Sequence, residues 1–231
     1  MSNSISPEHR LILTDEIYDS IKSQLMDHII LPGSRISIDG LARELKVSHT
    51  PIREAMARLE ADELVIRKPL TGYSATSVLS WQAFTDLYEF RALLEPHAIV
   101  SATKNLTIAG EVALKKELAT CKSSPTGKSY SSYRAISEHD ARFHQLILHL
   151  SGNSIMEAAF RKTHCHLHLF RLSSTSTDGR NLALKEHAEI VKAMISRDAN
   201  LAKVAMSEHL EKSRARMLPF ILALSPEMKV G

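Results

Sequence analysis

Twelve histidines occur in this chain of 231 residues, and three of them fall where, with one carboxylate, they can surround a cation. Asp140 and His144 are spaced i, i+4 and so share one face of a helix. His187 lies early in the next-to-last predicted helix and His209 in the last. One carboxylate and three imidazoles from three helices form a donor set for a divalent metal ion, zinc foremost, with nickel or manganese as alternatives. An Asp-x-x-x-His pair alone carries little weight, and any one of these histidines taken singly reads better as a hydrogen-bonded core or surface residue. Coordination needs neutral imidazole, so the metal reading expects the ion to leave as the pH falls to 5. The run His164-Cys165-His166-Leu167-His168 is not read as a second metal site. Its alternation puts His166 on the opposite helix face from His164 and His168, so one face lines a cavity and the other is solvated.

A second cluster lies near the N-terminus. Ser48, His49 and Thr50 precede Pro51, with Arg53 just beyond, Arg35 upstream, and Arg67 and Lys68 downstream. Hydroxyls and free N–H groups at a helix start bind phosphate, and an arginine in the opening turns of an exposed helix can meet base edges. Gross charge gives no such signal. The net charge is 29 − 26 = +3, and residues 1–79 carry 9 Lys+Arg against 11 Asp+Glu. The placement of the basic groups therefore carries the argument.

The elements that must hold these groups differ between the two parts of the chain. In residues 1–79, Ile17, Ile21, Leu25 and Ile29 mark an amphipathic helix stopped by Pro32-Gly33. Asp39 is expected to cap a short second helix through Leu45, and a third starts near Thr50-Pro51, with proline at its first position. Leu64-Val65-Ile66, a break at Pro69 to Gly72, and Tyr73 to Thr76 read as a hairpin. This order is the layout of a winged helix-turn-helix, whose third helix fits the major groove. Residues 80–231 pattern as helices only, over 80–103, 108–121, 128–150, 154–175, 181–197 and 199–218. A kink is expected at Pro96, with breaks at Pro125-Thr126-Gly127, Gly152-Asn153, Asp178-Gly179, Asp198 and Pro219. The fold class is mainly α: an N-terminal winged helix-turn-helix and a C-terminal all-α bundle.

The composition, 44% hydrophobic and 24% charged, is that of a folded globular chain. No run of about 18 apolar residues occurs, so no membrane partner is expected. Met1 to Arg10 lacks a basic stretch followed by an apolar one, which points to the cytoplasm. Cys121 and Cys165 show no CxxC pairing and are expected to be reduced thiols.

The stretch Leu31-Pro32-Gly33-Ser34-Arg35, then Leu41-Ala42-Arg43-Glu44-Leu45-Lys46-Val47-Ser48-His49-Thr50-Pro51-Ile52-Arg53-Glu54-Ala55, then Arg58-Leu59-Glu60, resembles the GntR family of bacterial transcriptional regulators. The resemblance implies DNA contacts by Arg35, Ser48, His49, Thr50, Arg53, Arg67, Lys68 and Gly72. His49 stands where the family usually has arginine, and Gly72 alone marks a hairpin tip that is often richer in glycine. Asp140-Ala141-Arg142-Phe143-His144, Gly152-Asn153, Glu186-His187, and Asp198 with Ala202, Met206, His209 and Leu210 resemble the FCD ligand-binding domain of the FadR-like branch. That resemblance implies a divalent metal held by Asp140, His144, His187 and His209, and a small carboxylate effector near it. It also implies an effector-facing role for Arg91, whose alternative is an i, i+4 salt bridge with Glu95.

Together these expectations describe a metabolite-responsive repressor that binds a double-stranded operator as a homodimer. Two other readings stay open at this stage. One is a metal-dependent hydrolase or lyase, against which stand the lack of HExxH and of a visible general base. The other is a DNA-binding protein whose metal is purely structural.

Overall fold

A computed structural model gives the architecture and describes residues 7–121, 127, 129–172 and 177–224. The expected break residues Pro125 and Thr126 lie outside the described residues. The chain divides into two compact units, Met1–Val78 and Leu79–Gly231.

In the first unit, helix α1 (Pro7–Met26) buries Ile17, Ile21 and Leu25 against α3 (His49–Ala61), which contributes Ile52, Ala55, Met56 and Leu59. The apolar period does not continue to Ile29, which is 70% exposed. His28 adopts a left-handed φ of 55°, and the amides of Ile29 and Ile30 both return to the Gln24 carbonyl. The helix is therefore closed by its own C-terminal turn before Pro32-Gly33 is reached. Helix α2 (Ile38–Leu45) is capped by Ser37, whose hydroxyl accepts from the Gly40 amide at 3.0 Å. The expected cap, Asp39, instead pairs with His49 Nε2 at 3.1 Å. Ser48 is the N-cap residue of α3, so Pro51 is its third residue rather than its first.

Strands β1 (Arg35–Ile36), β2 (Val65–Lys68) and β3 (Gly72–Ala75) form an antiparallel sheet in the order β1-β3-β2. Arg35 pairs with Ser74 in the register, and Lys68 with Gly72 at the hairpin end. Gly72 takes φ +84°, a left-handed conformation that glycine adopts without strain. Strand β1 was not expected, because two residues between Pro-Gly and a serine cap carry no readable period.

The second unit contains α4 (Trp81–Lys104), α5 (Ile108–Thr120), α6 (Tyr130–Leu150), α7 (Ser154–Lys162), α8 (Cys165–Leu172), α9 (Thr177–Ile195) and α10 (Ala199–Leu224). Its core joins Ile99 and Ala102, Leu114, Phe143 and Ile147, Ile190 and Met194, and Met206 and Leu210, drawn from five helices. The single helix expected over 154–175 is two. His164 takes a left-handed φ of 42°, and α8 restarts at Cys165. Pro219 does not end α10: it removes only the one hydrogen bond that an amide there would give to the carbonyl of Ala215, an exposed residue. Asp178-Gly179 likewise falls within the first turn of α9. Among the described residues, no helix is long and apolar enough to cross a membrane.

Candidate metal centre and nucleic-acid interface

Helix α6 supplies Asp140 and His144, α9 supplies His187 and α10 supplies His209. Each offers one ligand atom, and the four atoms lie within 4.8 Å of one another. The three imidazoles are buried and Asp140 is half-buried. Each ring is held from behind. His144 Nδ1 meets the Glu95 carboxylate, His209 Nδ1 meets Glu186 Oε2 at 2.8 Å, and His187 Nδ1 meets His139 Nε2 at 3.1 Å. His139 in turn places Nδ1 3.0 Å from Glu117 Oε1. Asp140 lies 2.6 Å through Oδ2 from His166 Nδ1, which leaves Oδ1 3.3 Å from His187 Nε2.

This pattern sets the tautomers. A ring whose Nδ1–H donates to a carboxylate presents a bare Nε2 lone pair. The Nε2 atoms of His144 and His187 are buried without a hydrogen-bond partner, a costly arrangement that a cation at their common focus would relieve. The residues present therefore fit a divalent ion of the zinc, nickel or manganese type.

The charges agree. Burial takes His144 down to about 4, against the pull of Glu95, and takes His187 well below the usual imidazole range. Both are thus neutral at pH 7, the form that coordinates. Burial would raise Asp140, but His166 beside it holds the carboxyl well below its usual range. At His166 the effect of burial is outweighed by Cys165 and Asp140, which hold it up at about 10. His144 therefore keeps its coordinating, neutral form down to about pH 4.

A stability prediction follows for the metal-free protein. As the pH falls below 6.5, histidines of the unfolded chain take up protons that folded His144 and His187 refuse, so the fold loses stability. Glu95, Asp140 and Glu186 add their own loss only below about 4.5, while His166, held up when folded, gives a smaller opposing gain near pH 6.5 that is complete by about pH 5.5. Thermal melts of chelator-treated protein are expected to show Tm falling steadily from pH 6.5 to 4.5. A flat or rising Tm would contradict the buried, neutral assignment.

Arg91 is buried, and its Nε donates to Glu95 Oε1 at 2.6 Å, so the i, i+4 pair is present. Its Nη2 has no partner, which leaves one donor for another acceptor. Glu95 thus links Arg91 to the metal-facing His144. Glu95→Gln is expected to weaken zinc binding about 10–100-fold, as loss of an outer carboxylate does. By uncovering a buried guanidinium it should also cost about 3–5 kcal/mol of stability. Chelator competition and urea melts measure the two effects, and wild-type values in both would refute the linkage.

The predicted nucleic-acid contacts occupy one unit. Arg35 on β1, Ser48 at the α3 cap, His49, Thr50 and Arg53 on α3, Arg67 and Lys68 on β2, and Gly72 on β3 are all exposed. Arg53, Arg35, Arg67 and Lys68 have no side-chain partner among the described residues. Arg58, at the far end of α3, pairs with Asp15 at 2.5 Å and lies over Tyr18. The face of α3 bearing Thr50, Arg53 and Ala57 is exposed, with small Ala57 permitting close approach. His49 is engaged by Asp39, which draws its ring toward α2.

Sequence reasoning gathered the four central residues but missed their outer ring, Glu95, His139, Glu186 and His166. A usable signal existed in part: Glu186 and His139 each adjoin a ligand in sequence.

Comparison with known proteins completes the picture. The bacterial regulatory protein gntR family matches residues 13–73, and the FCD domain family matches residues 86–212. The Uxu operon transcriptional regulator of Escherichia coli K12 is 29% identical over 231 residues, covering 88% of this chain and 87% of the relative. The Nta operon transcriptional regulator of Aminobacter aminovorans is 28% identical over 193 residues, covering 82% and 87%. Among solved structures, Escherichia coli McbR/YncC superposes with a TM-score of 0.65 at 19% identity, covering 94% of this chain and 99% of that one. A putative GntR regulator from Rhodococcus sp. RHA1 gives 0.65 at 20% identity, covering 89% and 97%. With a gntR-family match over residues 13–73 and an FCD domain spanning more than half its length, this chain belongs to the GntR family of DNA-binding transcriptional regulators and is not an enzyme.

Proposed function

We propose that the chain is a metabolite-responsive repressor of the cytoplasm whose FCD domain holds a divalent metal, zinc foremost, and a small organic acid. The observation that carries this reading is the set of four ligand atoms within 4.8 Å, with two buried Nε2 atoms otherwise unpartnered. When bound, the ion supplies a Lewis-acidic seat for a carboxylate oxygen. Glu95, His139 and Glu186 orient the three imidazoles, and His166 turns Asp140 toward them. Arg91 Nη2 supports a role as the donor that meets the acid's second oxygen.

A homodimer places two α3 helices on a two-fold operator, because a symmetric protein needs a symmetric site. In that arrangement Arg53 reads a base edge from the major groove. Ser48, Thr50 and His49 take phosphates at the start of α3, while Arg35, Arg67, Lys68 and the backbone of Gly72 hold the flanking strand. The acid can shift operator affinity only by its differential affinity for the two placements of the readers.

The test uses the full chain and a duplex selected from a random library. Zinc-loaded protein titrated with a panel of small carboxylic acids should release the duplex with one class of acid, and chelation should abolish that response while the protein stays folded. Chelation that unfolds the FCD domain instead would make the metal a structural staple. Operator affinity indifferent to every acid, with and without metal, would refute the sensing role.

A further inference from the structure

A cavity of about 700 Å³ lies between α5, α6, α7 and α8, a size within the range of small-molecule sites. Its wall is mainly apolar, with Ala113, Leu146 and Phe160 among the lining residues, and Lys116 and Arg142 bring positive charge to it. Asp140 and His144 do not line it, whereas their neighbours Ala141, Arg142 and Gln145 do, so the cavity and the ligand set use different faces of α6. Two of its residues nonetheless touch the back of the metal cage. Glu117 accepts from His139, whose other nitrogen meets His187. His166 is 4% exposed, meets Asp140 through Nδ1, and has no hydrogen-bond partner for Nε2.

We propose that this cavity is an outer ligand site for a small amphipathic anion, an apolar body with a carboxylate or sulfonate head, and that it is coupled to the metal centre through Glu117, His139 and His187. The head group is drawn to Arg142 and to Lys116, an exposed cation with no ion-pair partner among the described residues. Arg142 Nε presently donates to both Glu117 oxygens, at 3.2 and 3.1 Å. An anion that captures Arg142 removes the cation from Glu117 and leaves its carboxylate to His139 and the Thr120 hydroxyl, which donates to Oε1 at 3.0 Å. The Nδ1–H of His139 then donates to a carboxylate no longer neutralised by a guanidinium, which makes His139 Nε2 a better acceptor and His187 a stronger donor to metal. Occupancy of the cavity therefore tightens the metal, and by linkage the metal tightens the anion to the same factor. The coupling half of this inference rests on the metal reading above. The ligand seat does not.

The test uses full-length protein and the fluorescent anion 1-anilinonaphthalene-8-sulfonate as the probe. Saturable binding of one probe per chain is expected in both zinc-loaded and chelator-treated protein. Ala113→Phe, which fills the cavity from α5, and Arg142→Ala should each weaken it about tenfold, the size of one lost charge-assisted contact or of a blocked seat. The probe should raise zinc affinity several-fold in chelator competition, and Glu117→Gln should abolish that gain while still binding the probe. Equal probe affinity in Ala113→Phe, or zinc affinity unmoved by the probe in the wild-type chain, would overturn the proposal. A change in oligomeric mass on Ala113→Phe, with probe affinity unaltered, assigns the cavity to a second copy of the chain and overturns it too. If the chain takes up no zinc, the metal reading and the coupling fall together, and the probe measured in chelator-treated protein still decides the seat.

Discussion

His187→Ala is expected to leave purified protein with little bound metal, its affinity reduced by about two orders of magnitude or more, because a neutral imidazole at the centre of the cage is removed outright. His187 is fully buried, faces Asp140 Oδ1 at 3.3 Å and is braced by His139. Its ring also stacks on Phe143 at 4.0 Å, so the alanine variant loses packing as well as a ligand. His209→Gln provides the second arm, keeping most of the side-chain volume while removing the imidazole. Exposed His149, whose ring meets Glu157, is the control and should retain full metal on replacement by alanine. Elemental analysis reads all three. Full occupancy in both His187→Ala and His209→Gln would refute the ligand assignment.

The other large effect belongs to the DNA-reading unit. Arg53→Ala should remove specific operator binding and leave Tm unchanged, since the side chain is exposed and forms no hydrogen bond or ion pair among the described residues. A bidentate arginine–base contact is worth about 1–3 kcal/mol, and on the proposed two-fold operator it would be lost twice. Binding should therefore fall toward the level set by phosphate contacts alone. Arg58→Ala is the matched control on the same helix, because that side chain is already engaged by Asp15 and Tyr18. Anisotropy titrations at fixed salt compare the two. Unchanged specific affinity in Arg53→Ala, or an equal loss in Arg58→Ala, would remove Arg53 from the base-reading role.

The parts of this molecule that could be read from sequence are those with local signatures. Asp140 and His144 share a helix face by spacing, and the helical periods placed most of the second unit within a few residues of its observed helices. What could not be read depends on pairs far apart in the chain. Glu95 and His144 are separated by 49 positions and His139 and His187 by 48, so no window of sequence contains the contact. Backbone handedness was equally hidden. His28 and His164 adopt left-handed conformations with no glycine to announce them, which turned Ile29 into solvent and divided the helix expected over 154–175. His166 is buried beside Asp140, but His164 lies outside α8 and lines the same cavity as His166, so the expected split into a cavity face and a solvated face does not hold. At Pro219 the local rule was sound and the context overrode it, because the residue whose carbonyl loses its amide, Ala215, is exposed.

Anomalous diffraction from crystals of the zinc-loaded full chain, recorded on either side of the zinc edge, bears most directly on the metal-centred account. It predicts one peak per chain at the focus of Asp140, His144, His187 and His209, about 2.0–2.2 Å from each donor atom. No peak, or a peak bound elsewhere with those four side chains hydrogen-bonded only to protein, would contradict it.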